Sequence, residues 1–255
     1  MHKKPDPPYT PRPLKAYKNP AFLNSPDART VRVLCEFTEP ESRFRRLRVR
    51  HTVVFFGSAR TLPPDVAEAR LRELEANCVT PISSEGKCAI RIEQARRAVV
   101  MSRYYAEARD LAARLAKWSR STHSPSNRFT MASGGGPGIM EAANRGAYDA
   151  GAHSVGMNIS LPFEQFPNAY QSDELSFEFH YFFVRKFWFV HLAKAIVAFP
   201  GGYGTLDELV ELLTLIQTGK TPRIPVVVYG SEYWNDVIDF DAMVKWGVIG
   251  PKDLG

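Results

Sequence analysis

The sequence predicts an α/β protein: a Rossmann-like parallel sheet with helices on both faces, preceded by an N-terminal arm and a helical region. Three observations carry this. Short apolar runs recur after residue 50, separated by segments of helical period. The runs are continuous rather than alternating, the pattern of strands buried on both faces. Three of them end in glycine-rich or small polar turns, as strand-to-helix connections in open sheets do.

The expected strands are 51–57 (HTVVFFG), 128–133 (RFTMAS), 153–159 (HSVGMNI), a short one in 175–182 running into a helix, 194–199 (KAIVAF) and 224–230 (IPVVVYG). Helices are expected from Pro63-Pro64 to about Asn77, from about Arg91 to Lys117, and over Pro137–Ala150, Thr205–Gln217 and 232–246. Residues 78–89 read as a polar loop inserted between two helices. Pro251-Lys252-Asp253 reads as the start of another helix, which leaves open whether the chain is cut short there.

Residues 51–255 are read as one Rossmann-like domain. Ahead of it, residues 1–25 carry Pro5, Pro7, Pro8, Pro11, Pro13 and Pro20 and read as an extended arm. Residues 26–50 read as helical, starting at Ser25-Pro26-Asp27 with Val33, Leu34 and Phe37 on one face. Pro40 is expected to break or kink that helix, with a second piece running through the arginine cluster.

The chain has 255 residues, 44% hydrophobic and 24% charged, enough for one sizeable core. No apolar run reaches membrane-spanning length, and MHKKPDPPYTPRP offers no secretory apolar stretch. Cys35, Cys78 and Cys88 fit neither a disulfide framework nor a zinc site, so the expectation is a cytoplasmic protein with reduced thiols and no metal. The net charge of +6 suits nucleic acid or small anions alike. Arg43, Arg45, Arg46, Arg48 and Arg50 are clustered, but Phe44 alone interleaves them. That reads as a solvated helix end and argues against a nucleic-acid partner.

The chemistry gathers in the turns. They are Gly57-Ser58 after the first strand, Gly134-Gly135-Gly136-Pro137-Gly138 after the second, and Gly201-Gly202-Tyr203-Gly204-Thr205 after a later one. All three belong at the carboxyl ends of parallel strands, where ligands bind. Glycines let the backbone approach an anion, and the next helix presents free N–H groups and a positive dipole. Phosphate is the natural guest. The Lys-Ser/Thr of a P-loop is missing. So is an acidic residue after the 153–159 strand to hold a ribose, which disfavours a dinucleotide.

Glu208 admits two readings. Thr205-Leu206-Asp207-Glu208 has capping-box spacing, with Thr205 as cap and Glu208 reaching back. Glu208 is also the carboxylate nearest the Gly201–Thr205 turn, where it could act on a sugar. Arg185-Lys186 sits in the apolar stretch FHYFFVRKFWFV, so the two cations need acidic partners or an anionic ligand. A salt bridge from this pair to Glu208 or another acid is the plain alternative. His180 and His191 flank the stretch and are assigned no chemistry. The surrounding aromatics read as core and subunit interface.

These residues resemble the LOG (Lonely Guy) family over roughly residues 50–230. Pro200-Gly201-Gly202-Tyr203-Gly204-Thr205-Leu206-Asp207-Glu208 matches its P-G-G-x-G-T-x-x-E signature, and Arg185-Lys186 sits where it carries an R-K pair. Gly134-Gly135-Gly136-Pro137-Gly138-Ile139-Met140 matches its other glycine turn, and Gly57-Ser58 its first-strand turn. The resemblance implies a homodimer or higher oligomer and a phosphoribohydrolase, which frees the base of a nucleoside 5′-monophosphate and leaves ribose 5-phosphate. AMP and cytokinin nucleotides are the implied substrates.

Arg185 and Glu208 are the implied catalytic residues. Gly57, Ser58, Gly134, Gly135, Gly136, Gly138, Met140, Lys186, Gly201, Gly202, Gly204 and Thr205 are the implied substrate contacts. No cofactor is implied, although members are often labelled lysine decarboxylases; no motif points to pyridoxal phosphate on a lysine. Phe182-Phe183-Val184 replaces the usual M-H-E before the R-K pair, which leaves base preference open. Two other functions compete. A non-catalytic nucleotide carrier would bind AMP without releasing adenine. An RNA- or DNA-associated protein would use the 43–50 arginines and bind in a salt-sensitive way.

Overall fold

A computed structural model describes residues 12–78, 85–162 and 166–254. The order of elements is α1 (Pro20–Leu23), α2 (Arg29–Arg46), β1 (His51–Phe56), α3 (Pro64–Asn77), α4 (Glu85–Thr122), β2 (Phe129–Ser133), α5 (Ile139–Asp149), β3 (Ser154–Ile159), β4 (Ser176–Phe179), α6 (Phe182–His191), β5 (Ala193–Ala198), α7 (Tyr203–Gln217), β6 (Val226–Val228), α8 (Ser231–Val237) and α9 (Phe240–Lys245).

The strands form one sheet in the order β4-β3-β2-β1-β5-β6, and every neighbouring pair is parallel. The chain leaves β1 in one direction through β2, β3 and β4, then returns to the other side of β1 with β5. The β1/β5 gap is therefore the topological switch point, where open α/β sheets bind ligands.

Strand β1 shows why helices cover both faces. Val54 and Phe56 join a core with Met157, Phe177, Phe189, Ile196, Leu209 and Trp234. Val53 and Phe55 point the other way, into a core with Tyr104, Tyr105, Met131, Ile139 and Phe199. Alternate side chains of a strand face opposite sides, so a strand apolar at every position needs a helical layer on each. On the second face α4 and α5 meet through Ala108, Ala112, Ala142, Ala143 and Ala147. A methyl group added at Gly146 would lie 2.1 Å from the Arg109 carbonyl oxygen, so only glycine allows that approach.

Several expectations are corrected. Within the described part of the arm, residues 16–18 form a 3-10 turn and Asn19 caps α1 by accepting from Ala21 N at 3.1 Å; this stretch is not extended. The arm's first eleven residues lie outside the described part. Pro40 neither breaks nor ends α2, which runs unbroken through Arg46. The polar loop is shorter than expected, because α4 begins at Glu85; residues 79–84 lie outside the described residues. Cys78 and Cys88, at the facing ends of α3 and α4, form a disulfide, so only Cys35 is a free thiol. The single helix expected over 232–246 divides into α8 and α9, because Asp239 turns out of the helix and caps α9 through Ala242 N at 2.8 Å. Pro251–Asp253 forms a 3-10 turn. No helix among the described residues is long and apolar enough to cross a membrane.

Candidate active site

The three turns expected to share a crevice do meet. Ser58 N–H donates to the Pro200 carbonyl at 3.0 Å, tying the β1 turn to the β5 turn. Ile139 N–H donates to the Ser58 carbonyl at 3.1 Å, tying it to the β2 turn. A methyl at Gly138 would lie 2.2 Å from that Ser58 oxygen, and one at Gly57 would lie 2.7 Å from Ile139. Gly138 has φ +72, a conformation costly for other residues. These glycines let two turns interlock at the switch point.

The β2 turn is internally braced. Gly135 has φ +74, and its carbonyl accepts from Asn168 N–H at 2.9 Å, Asn168 Nδ2 at 2.9 Å and Gln171 Nε2 at 2.6 Å. The Gly136 carbonyl accepts from Asn168 Nδ2 at 3.0 Å. Asn168 Nδ2 also reaches Asn144 Oδ1 at 2.9 Å, while Asn158 Nδ2 donates to Gln171 Oε1 at 3.0 Å. Asn158, near the end of β3, is thus part of the support for this turn.

The β5 turn is open. Helix α7 begins at Tyr203 with Gly202 as N-cap and no side-chain cap. This corrects the capping-box reading. Thr205 is the third residue inside the helix, not its cap, so Glu208 has no cap residue to reach back to. Thr205 is buried and packs over Gly201, while at Gly202 and Gly204 no atom of the described residues beyond their own stretch of chain lies within 4 Å of where a side chain would start. The first N–H groups of any helix lack an intrahelical acceptor. Here the residues of that first turn, Gly202, Tyr203 and Gly204, are exposed, a setting in which a helix start can receive an anion. Tyr233 Oη donates to the Gly201 carbonyl and pins the turn from behind.

Glu208 points instead at α6. Arg185 Nη2 donates to Glu208 Oε1 at 3.1 Å, and the two side chains are 11% and 13% exposed. The guanidinium lies between the rings of Phe182 (5.2 Å) and Phe189 (5.4 Å). Burial pushes the Glu208 carboxyl up to about 7, although Arg185 pulls it back. Burial likewise lowers Arg185, opposed by Glu208, Asp207 and Glu178. Arg185 Nε is buried with no hydrogen-bond partner among the described residues. A methyl added at Gly134 would sit 2.7 Å from Met140 Sδ and 3.8 Å from Arg185 Nη1, so the β2 turn also lines this pair.

Lys186 is engaged differently. Its ammonium lies 2.7 Å from Asp207 Oδ2 and 3.1 Å from Glu211 Oε2. Burial works to lower it, but the hydrogen bonds to these two carboxylates prevail and the value is raised. Asp207 and Glu211 are four apart on α7, a spacing visible in the sequence but not singled out there. Asn168, Gln171 and Tyr233 were also missed. Each acts on a glycine turn distant in sequence, and no local pattern announces that.

The family described as "Possible lysine decarboxylase" matches residues 140–255, a segment that holds both the R-K pair and the 200–208 motif. The cytokinin riboside 5′-monophosphate phosphoribohydrolase LOG3 of Arabidopsis thaliana is 30% identical over 121 residues, 46% of this chain and 55% of its own. LOG1 of the same plant is 31% identical over 122 residues, with shares of 46% and 55%. The probable phosphoribohydrolase LOGL3 of Oryza sativa subsp. japonica is 29% identical over 130 residues, with shares of 47% and 56%. The chain thus spans about half the length of the curated relatives it matches. The X-ray structure of TM1055, a structural-genomics target, aligns over 52% of this chain and 87% of its own at TM-score 0.35 and 20% identity, too slight a likeness to bear on the site. Over the segment that holds the R-K pair and the 200–208 motif, the chain is thus similar to LOG phosphoribohydrolases.

Proposed function

We propose that this protein is a nucleoside 5′-monophosphate phosphoribohydrolase that hydrolyses the N-glycosidic bond of AMP or cytokinin-type nucleotides to free base and ribose 5-phosphate. The observation that carries the reading is the buried Arg185–Glu208 pair. It stands beside an unblocked helix N-terminus and is lined by the second glycine turn.

Phosphate sits on the N–H groups at Gly202–Thr205, so binding energy from a non-reacting group fixes the sugar. As the bond lengthens, positive charge grows on the ribose and negative charge on the base. Ionised Glu208 stabilises the sugar cation and orients the attacking water. Arg185, a permanent cation, holds Glu208 in place and stabilises the departing base.

Pyridoxal chemistry does not fit these residues. A Schiff base needs a free amine, and Lys186 is a protonated ammonium held by two carboxylates. We further propose that the chain forms a homodimer through the outer side of α6, where Phe182, Phe183 and Phe187 are 49%, 54% and 41% exposed. We also propose that the protein acts in the cytoplasm.

The test is incubation with a panel of nucleoside monophosphates that includes AMP and isopentenyladenosine monophosphate, with chromatography of the released base. Release of adenine or its derivative supports the reading. Tight AMP binding with no release from any nucleotide replaces it with a carrier.

A further inference from the structure

The helix that carries Arg185 and Lys186 is gripped by a residue about 150 positions earlier. Glu36, in the middle of α2, uses two separate groups. Its carboxylate accepts from the backbone N–H of His180 at 2.8 Å and of Tyr181 at 3.2 Å, the two residues that lead into α6. An anion there satisfies N–H groups at a helix start and suits the dipole. Its backbone carbonyl accepts from Trp188 Nε1 at 3.0 Å.

The second contact depends on Pro40. In an uninterrupted helix the Glu36 carbonyl would receive the N–H of residue 40, and proline has none. The freed oxygen is the one that the indole takes. The proline that should have broken α2 thus supplies an acceptor for α6.

Packing reinforces both points. Phe37 meets Phe187 edge-on at 5.1 Å, and Phe44 lies 5.3 Å from Trp188. The Tyr181 peptide passes the grip onward, because its N–H is held by Glu36 while its carbonyl accepts from Arg185 N–H at 3.2 Å. Helix α2 lies outside residues 140–255, the segment that the family match covers.

We propose that α2 is a clamp on α6, with Glu36 and Pro40 as positioning residues that set the reach of Arg185 to Glu208. The consequence for turnover rests on the nucleotide-cleaving reading; the clamp itself does not. Its readout is therefore the titration of Glu208, followed by NMR of carbon-13-labelled glutamate in the full chain without substrate. The Glu208 signal is assigned by its loss in Glu208→Gln. The charged groups around Glu208 are Arg185 and Lys186 from α6 and Asp207 and Glu211 from α7, with Glu178 of β4 bearing on Arg185. The α6 cations lower it and burial, the larger influence, raises it, so loosening α6 disturbs both the Arg185 attraction and the burial that set its titration.

In Glu36→Ala the Glu208 titration should shift by about one pH unit, upward where the Arg185 contact is the greater loss and downward where burial is. Turnover of AMP should fall by about tenfold or more, with KM within about twofold, because the phosphate turn on α7 is untouched. Pro40→Ala should move Glu208 the same way by less. It restores an N–H that competes for the Glu36 carbonyl, even though alanine favours the helix itself. A role limited to stability predicts the opposite for Pro40→Ala, a firmer α2 and an unmoved Glu208. If Glu36→Ala does not fold, Pro40→Ala decides. Glu208 titrating as in the wild type in whichever variants fold would overturn the clamp. A shifted Glu208 in a protein that releases no base would keep the clamp and remove the hydrolase reading.

Discussion

The two glycine-rich turns look alike in sequence and do different work. In the β2 turn, positions 133–136 and 138 are buried, its carbonyls are held by Asn168 and Gln171, and the first N–H of the following helix is spent on Ser58. In the β5 turn, Gly202 and Gly204 face open space and Tyr203 is 93% exposed. The first set of glycines allows backbone to pack on backbone. The second leaves backbone free for something that is not protein. Glycine count alone does not identify a phosphate site; the space above the glycines does.

That contrast can be broken by paired substitutions. The largest effect is expected at Gly135→Ala. Its φ of +74 disfavours a side chain, and the methyl would fall 2.1 Å from Asn158 Oδ1. A loss of about 2–4 kcal/mol is expected in chemical denaturation. Gly204→Ala should do the reverse. It lies in the first turn of α7 with nothing nearby, so stability should hold or rise by up to about 1 kcal/mol. AMP affinity, read by calorimetry, should weaken by about tenfold, because the methyl occupies the anion's approach. A destabilised Gly204→Ala with normal affinity would reverse the assignment of the two turns.

Acidity sharpens the open side further. Burial pushes the Glu208 carboxyl up to about 7, and in the proposed reaction the ionised form is the one that supports the sugar cation. Base release should therefore rise between about pH 6 and pH 8. Arg185→Met removes the charge that pulls Glu208 down, so the rising limb should move to higher pH, alongside a loss of rate. A flat profile in both proteins would detach the carboxylate from the chemistry. The smallest effect is expected at Thr205→Val. As a helix cap its hydroxyl would be worth about 1 kcal/mol. Inside the helix, with no cap bond, its loss should leave the melting curve within about 0.5 kcal/mol of wild type. A modest drop in AMP affinity is the expected trace of the hydroxyl.

The sheet was legible because its strands are short apolar runs with small residues at their ends, a signal that needs no tertiary information. Local signals failed where a distant partner decided the outcome. Pro40 predicts a break from covalent geometry alone, yet the carbonyl that it frees is claimed by Trp188, and α2 continues. The Thr205–Glu208 spacing is that of a capping box. Gly202 starts the helix three residues earlier, and Arg185 draws the carboxylate away. The gathering of Arg185, Glu208 and Gly134 was anticipated from the resemblance. A salt bridge from Arg185 to Glu208 was already one reading of the sequence; the approach of the β2 turn to that pair was not, because it depends on packing between residues distant in the chain.

The reading proposed for the site is that the carboxylate held by Arg185 supports cleavage of a nucleotide bound at the open turn. The most direct test is Glu208→Gln, compared with wild type for AMP affinity by calorimetry and for adenine release by chromatography. The carboxamide keeps the shape and an acceptor for Arg185, but carries no charge to support the sugar cation. The account predicts affinity within a few-fold of wild type and release lowered by about a hundredfold or more. Equal release by the two proteins would contradict it and leave Glu208 as no more than a structural partner of Arg185.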